Sequence, residues 1–185
     1  GRTGFAHLFE HVMFQGSRHV AKAEHIALVQ AAGGTMNGTT WLDRTNYFET
    51  MPSHQLELAI WLEADRLATL LDALSQENLD NQREVVKNEK RWSYDNRPYG
   101  TWNEKLLGHL FPPEHPYSSP TIGSMADVDA ASRADVANFF RRYYHPGNAS
   151  LCIAGDFQPA EAKRLVAKYF GPIPRPATPI PRVTT

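Results

Sequence analysis

Apolar side chains recur at helical spacing through most of the chain and alternate with polar ones over one short stretch. The helical repeat predicts helices over residues 4–15, 22–32, 52–74, 76–94, 101–110, 132–143 and 159–170. Alternating polarity and many Thr, Tyr and Phe residues predict strands over residues 35–40 and 45–51. A short apolar run predicts a further strand over 149–154. This order favours an α+β fold, with a mixed, mainly antiparallel sheet packed against several helices.

Composition excludes several classes of protein. The chain has 185 residues, of which 42% are hydrophobic and 21% charged, as in ordinary globular domains. The formal net charge of -1 gives no attraction to nucleic acid, and no apolar run is long enough to span a membrane. Cys152 is the single cysteine, which excludes an internal disulfide framework and a cysteine-rich zinc site.

A five-residue motif in the first predicted helix carries the chemistry. On a helix, His7, Glu10 and His11 lie on one face, because positions three and four apart are neighbours. Two imidazoles are good zinc ligands, and a zinc ion lowers the pKa of its bound water toward ~7, so that Glu10 can act as general base. The order H-x-x-E-H is typical of inverted-motif zinc peptidases.

Chance alone could place two histidines and a glutamate on one helix, so the surroundings of the motif matter. Its neighbours Leu8, Phe9 and Val12 are apolar, which predicts that this helix is largely buried. Polar side chains in such a helix need a compensating partner, and a metal ion provides one.

A catalytic zinc usually needs a third protein ligand. The helix over 76–94 offers Asp80, Glu84 and Glu89. Glu89 shares a helix face with Val85, Val86 and Trp92, so it is predicted to point inward and to bind the metal, whereas Glu84 is predicted to be a solvated surface charge.

The remaining histidines show no metal-ligand spacing. His19, His25 and His54 stand in polar or helix-start contexts, and we expect them to be solvated. Tyr143 and Tyr144 are interpreted as residues that pack at the end of a helix.

Several motifs together resemble the N-terminal half of the pitrilysin/insulinase (M16) family of zinc metallopeptidases. They run in order along nearly the whole chain, at residues 7–11, 33–40, 43–47, 83–89 and 144–156. The resemblance implies a two-layer half-domain that binds one Zn²⁺ ion through His7, His11 and Glu89, with Glu10 as the catalytic base. Many members carry an acidic residue seven positions before the third ligand, where this chain has Gln82.

The resemblance also implies a peptide-binding strand. In the family an extended peptide substrate adds to a sheet edge near the zinc, which would involve Gly34, Thr35, Met36 and Asn37 here. The alternative is that Gly33-Gly34 ends a helix and Asn37-Gly38 forms a turn.

The chain is expected to form a single zinc-bearing domain over 1–185 and to be a piece of a longer protein. Within it we expect a motif-bearing part over 1–123, a helix–strand–helix part over 124–170 and a proline-rich connector over 171–185. By the resemblance, a homologous second half, in the same chain or a partner subunit, completes the active site, so the chain alone should be inactive. No compartment is predicted.

The predicted function is that of a zinc-dependent endopeptidase acting on extended oligopeptides or small unfolded proteins. The alternative is a catalytically silent structural or regulatory subunit of the same family, against which the complete set of His7, Glu10, His11 and Glu89 argues. A purely structural zinc would need a fourth protein ligand, for which the sequence offers no good candidate.

Overall fold

The computed structural model describes residues 1–176, 179 and 180. Residues 177, 178 and 181–185 of the predicted connector lie outside the described residues. The helices and strands are α1 (Phe5–Val12), α2 (Glu24–Ala31), β1 (Thr35–Thr40), β2 (Thr45–Thr50), α3 (Leu56–Ala73), α4 (Gln76–Lys90), α5 (Trp102–Leu110), α6 (Met125–Ala130), α7 (Arg133–Tyr143) and α8 (Pro159–Phe170). A π-helical segment, Arg91–Asp95, continues α4.

The two strands form an antiparallel hairpin in which Thr35 pairs with Thr50 and Thr40 with Thr45. Together with the helices they confirm the predicted α+β class. The strand predicted over 149–154 is wrong, because these residues have no strand assignment and the sheet of the described residues contains β1 and β2 alone. An apolar run becomes a strand only where another strand offers its backbone groups, and the run itself does not reveal that partner.

The helix boundaries follow from local hydrogen bonds. Ser75 caps α4 by accepting a hydrogen bond from the backbone N–H of Asn78. Ser132 and Asp135 form the reciprocal capping box at the start of α7, and Pro159 occupies the first turn of α8, as the sequence predicts. The six-residue helix α6 was not predicted, because so short an element shows little periodicity.

Helix α1 lies in the centre of the larger hydrophobic core. Leu8, Phe9 and Val12 are fully buried. They belong to one cluster with side chains of α4, α6 and α7, among them Leu79, Val86, Val128, Val136 and Phe140. A second, smaller cluster joins α2 to α3 and the hairpin through Val29, Leu62, Met36 and Met51. Within the described residues no helix is both long and apolar enough to cross a bilayer.

Two glycines fix the position at which α1 begins. Gly4 caps the helix with φ +77°, and a Cβ atom placed there would lie 2.5 Å from the carbonyl oxygen of Ile122. Gly123 has φ +70°, and a Cβ atom placed there would lie 2.3 Å from the backbone nitrogen of Gly4. Glycine alone allows both the left-handed backbone and this contact, so the loop before α6 sets the starting point of the motif helix.

Candidate metal centre

The structure brings together the three residues predicted to bind a metal. His7 and His11 are one turn apart on α1, and Glu89 comes from the last turn of α4. The Nε2 atoms of His7 and His11 are 3.3 Å apart, and Glu89 Oε2 lies 3.6 Å from the first and 3.2 Å from the second. Ligand atoms about 2.05 Å from a tetrahedral zinc ion are about 3.3 Å from one another. The observed spacing therefore fits a zinc ion among the three atoms.

Glu89 reaches this site from a half-exposed position. Its side chain is 39% exposed, and its carboxylate is directed toward the two histidines of α1. Val86 is buried, but Val85 and Trp92 are exposed, so they do not mark a buried face. The carboxylate faces an open site between two helices, as a catalytic metal ligand should. Glu84 pairs with Lys87 at the surface, as predicted.

The electrostatics of the site favour the forms that bind a metal ion. Burial lowers the pKa of His7, although the carboxylate of Glu89 acts in the opposite direction. The hydrogen bond with His11 lowers the pKa of Glu89 against the effect of burial, and the charge of His7 adds to the lowering. At neutral pH the site therefore offers a neutral imidazole at His7 and an ionised carboxylate at Glu89.

Glu10 lies beside the cluster with its carboxylate held by the hairpin. The side chain is 8% exposed, and its Oε2 accepts a hydrogen bond of 2.5 Å from the hydroxyl of Thr40 in β1. A Cβ atom at Gly38 would lie 2.9 Å from Glu10 Oε1, so any other residue at position 38 would displace the carboxylate from its present position. Sequence reasoning missed both contacts, since no local pattern reveals which strand packs on the motif helix.

A cavity of about 210 Å³ opens next to Glu10 and His11. Its other walls are Phe14, Ile26, Met36 and Asn37. The cavity is therefore mainly apolar, and the carboxylate of Glu10 and the imidazole of His11 lie on one side of it.

The four residues predicted to bind substrate divide into two groups. Met36 and Asn37 line the cavity, whereas Thr35 is exposed at the start of β1 and does not line it. Gly34 is buried, and its N–H already donates to the carbonyl oxygen of Val29 at 2.8 Å. The alternative interpretation was that Gly33-Gly34 ends a helix and Asn37-Gly38 forms a turn. It is correct for Gly33, which follows α2 with φ +82°. It is wrong for residues 37 and 38, which lie within β1.

Comparison with known proteins decides the family. Residues 2–112 match the family described as Insulinase (Peptidase family M16), and residues 130–185 match the Peptidase M16 inactive domain. The chain belongs to the insulinase (M16) family.

Relatives of this insulinase-family chain agree with that assignment. It is 30% identical over 170 residues to the zinc protease PqqE of Helicobacter pylori, covering 92% of this chain and 38% of the relative. It is also 30% identical over 169 residues to a zinc protease of Mycobacterium leprae, covering 91% and 37%. The chain thus spans somewhat under two fifths of the length of these curated relatives.

Solved structures give the same result for the fold. A protease from Helicobacter pylori superposes with a TM-score of 0.93 at 28% identity, covering 98% of this chain and 43% of that one. Pitrilysin superposes with a TM-score of 0.77 at 22% identity, covering 98% and 20%, which shows a shared fold. The predicted resemblance to the pitrilysin/insulinase family is confirmed.

One feature of this M16 site departs from the usual surroundings of a metal-binding histidine. Such a histidine normally donates its second ring N–H to a neighbouring acceptor. His7 Nδ1 is buried and has no hydrogen-bond partner in the described part of the chain. Gln82, at the position that is often acidic, is buried and directs its amide nitrogen to Asn81 Oδ1 at 2.9 Å. It does not hydrogen-bond to His7.

Two further residues of the insulinase-family chain differ in how well the sequence predicted them. Tyr144 packs at the end of α7 as expected, and its hydroxyl lies 2.8 Å from that of Tyr47. His25 was expected to be solvated, but it is only 4% exposed. It begins the buried face of α2, which the polar neighbours in its sequence obscure.

Proposed function

We propose that this chain carries the zinc site and the general base of a metalloendopeptidase that hydrolyses peptide bonds in extended oligopeptides or small unfolded proteins. The observation that carries the proposal is the mutual spacing of 3.2–3.6 Å among the His7, His11 and Glu89 ligand atoms. Membership of the insulinase family and zinc-protease relatives support it.

A catalytic zinc fits this ligand set better than a structural one. The group of potential ligands found among the described residues at this site has three members, whereas structural zinc sites usually have four protein ligands. When bound, the ion would polarise the scissile carbonyl and make a bound water more acidic.

The chain's own groups then move the proton. Glu10 would take a proton from the attacking water as the bond from its oxygen to the carbonyl carbon forms. The same carboxyl would return the proton to the amine nitrogen as the carbon–nitrogen bond breaks, so that Glu10 ends in its starting state. The hydroxyl of Thr40 would hold the carboxylate in one orientation through both steps.

The hairpin offers a place for an extended peptide. In the portion of the chain that the structure describes, β1 pairs with β2 alone, so its other edge has no strand partner. A peptide added to that edge would run past Met36 and Asn37, which line the cavity beside Glu10. A side chain of the peptide could enter this mainly apolar cavity. Because the N–H of Gly34 is already bonded, we assign no substrate contact to it.

A homologous second half is part of the proposal. The chain covers 38% of PqqE, and the match to the insulinase (M16) peptidase family is followed along the chain by a match to the M16 inactive domain. We propose that the second half, in the same polypeptide or a partner subunit, completes the substrate-binding site and that turnover requires it.

The test uses the intact protein and a quenched fluorogenic peptide of extended conformation. Glu10→Gln should abolish cleavage and keep bound zinc, because Glu10 is the base and not a ligand. Glu84→Gln, a surface carboxylate paired with Lys87, is the matched control and should change neither. Full activity of Glu10→Gln, or no zinc-dependent cleavage by the unaltered protein, would refute the proposal.

A further inference from the structure

A second group of ligand-type side chains lies between α2, β2 and α3 and shares no residue with the proposed catalytic site. His25, Glu49 and Glu63 each offer one nitrogen or oxygen atom, and these atoms all lie within 4.8 Å of one another. His25 Nε2 is 3.8 Å from Glu49 Oε2, and these two side chains are 6% and 7% exposed. We refer to His25, Glu49 and Glu63 as the internal cluster.

The internal cluster contains buried polar atoms that lack a partner when its carboxyl groups are ionised. In that form His25 Nε2 and both carboxylate oxygens of Glu49 have no hydrogen-bond partner among the residues that the structure describes, whereas a proton on Glu49 or Glu63 would let these two carboxyl groups share a hydrogen bond. A carboxylate away from water is strongly destabilising unless a cation or a proton compensates it. Groups of this kind are rare in folded proteins and usually indicate a missing ion, water or proton.

The charges around the internal cluster are unbalanced. The carboxylates of Glu49 and Glu63 face it, and the carboxylate of Asp65 is close enough to act on His25. Arg66 is the opposing cation, and its Nε donates to Glu63 at 3.0 Å. Asp65 is already bonded to Ser17 and His19, so the balance of the cluster itself is two carboxylates against one guanidinium, a formal charge of -1 when both carboxyl groups are ionised. A bound cation or a retained proton would compensate it.

Burial also sets the protonation of these three groups. Burial lowers the pKa of His25 to about 4, with Arg66 adding to the effect, so the ring is neutral and has a free lone pair at neutral pH. Burial raises the pKa of Glu49 and raises that of Glu63 to about 7, the latter against the effect of Arg66. A cluster without a metal ion therefore retains a proton on its carboxyl groups, which a bound dication would displace.

We propose that His25, Glu49 and Glu63 form a second binding site for a divalent metal ion, with zinc as its first candidate. One imidazole and two carboxylates are a ligand set that zinc accepts. Ligand atoms on one tetrahedral zinc ion are about 3.3 Å apart, so atoms that are up to 4.8 Å apart would have to close by as much as about 1.5 Å on binding. The ion would join α2, β2 and α3, three elements that surround the smaller core.

The experiment counts zinc in the full chain after dialysis. The unaltered protein should hold about two zinc ions, and the double variant His7→Ala/His11→Ala about one, since only the catalytic site is removed. Adding Glu49→Gln to the double variant should remove the remaining ion. Adding His109→Ala, an exposed histidine on α5, should leave it bound. Circular dichroism verifies that each variant is folded.

A second measurement does not depend on altering the internal cluster. Cobalt added to the His7→Ala/His11→Ala variant should give visible absorption bands of a low-coordinate nitrogen–oxygen site, because the internal cluster is intact in that variant. The proposal is overturned if this variant binds neither zinc nor cobalt, or if its metal survives Glu49→Gln. Neither result bears on the proposed peptidase function, which is tested separately through Glu10.

Discussion

The hydrogen bond from Thr40 to Glu10 can be tested by replacing the hydroxyl with a methyl group of similar size, as in Thr40→Val. The bond joins a hydroxyl to a carboxylate that is 8% exposed. A hydrogen bond to a charged group contributes about 1.5–3 kcal/mol, and its loss leaves the buried carboxylate without this donor. For a domain of this size we expect the melting temperature to fall by roughly 3–12 °C.

Activity should fall as well, because the hydroxyl orients the general base. If about half of the hydrogen-bond free energy goes into holding Glu10 in its reactive orientation, its loss should decrease kcat by roughly 4- to 12-fold. Bound zinc should not change, since neither residue is a proposed ligand. The measurements are a thermal melt, a zinc determination and steady-state cleavage of a fluorogenic peptide by the intact protein.

Two control variants separate this hydrogen bond from general effects on β1. Thr39→Val alters the neighbouring residue, whose exposed hydroxyl contacts Asn46 and Arg44 instead. It should leave kcat unchanged. Thr40→Ser keeps the hydroxyl and should restore most of both properties. The reasoning is refuted if Thr40→Val changes neither melting temperature nor kcat, or if Thr40→Ser is as impaired as Thr40→Val.

Three further predictions follow from the structure. Glu89→Gln should weaken zinc binding in a chelator competition, because an amide is a poorer ligand than a carboxylate; unchanged affinity would remove Glu89 from the site. Gly4→Ala should destabilise the fold by about 1–3 kcal/mol in urea unfolding, since its Cβ would meet Ile122. Gly108→Ala should not, because the nearest atom to its Cβ would be 4.0 Å away; equal effects would contradict the close contact at Gly4. In buffer that contains a chelator, protonated Glu63 should stabilise the fold fully below pH 4.5 and progressively less as the pH rises through about 7. Glu63→Gln should remove this fall in the free energy of unfolding. If the unaltered protein and the variant show parallel curves of stability against pH, the raised pKa is contradicted.

The sequence could predict the part of the site that one helix carries. The helical repeat alone places His7, Glu10 and His11 on one face, so no tertiary information is needed. Glu89 lies 78 residues after His11. Its predicted helix face shared Val85 and Trp92, but both side chains are exposed in the structure. The resemblance to the family was the sounder guide.

Contacts between distant elements were beyond sequence reasoning. The pairing of Thr40 with Glu10 depends on how the hairpin packs on α1, and no pattern within either segment records that orientation. His25 was misjudged for a similar reason, because its burial arises from β2 and α3 and not from its neighbours in the chain. The strand expected over 149–154 needed a partner strand, which its own composition cannot specify.

The motif helix is fixed at both of its ends. At its start, Gly4 lies against the backbone of Ile122. Just beyond its end, the ring of Phe14 lies 5.2 Å from the guanidinium carbon of Arg66, a side chain that is almost completely buried in α3. The helix can therefore neither slide nor turn about its axis without breaking one of these contacts. If the protein closes around a peptide, the movement should occur in other segments while the two histidines keep their separation.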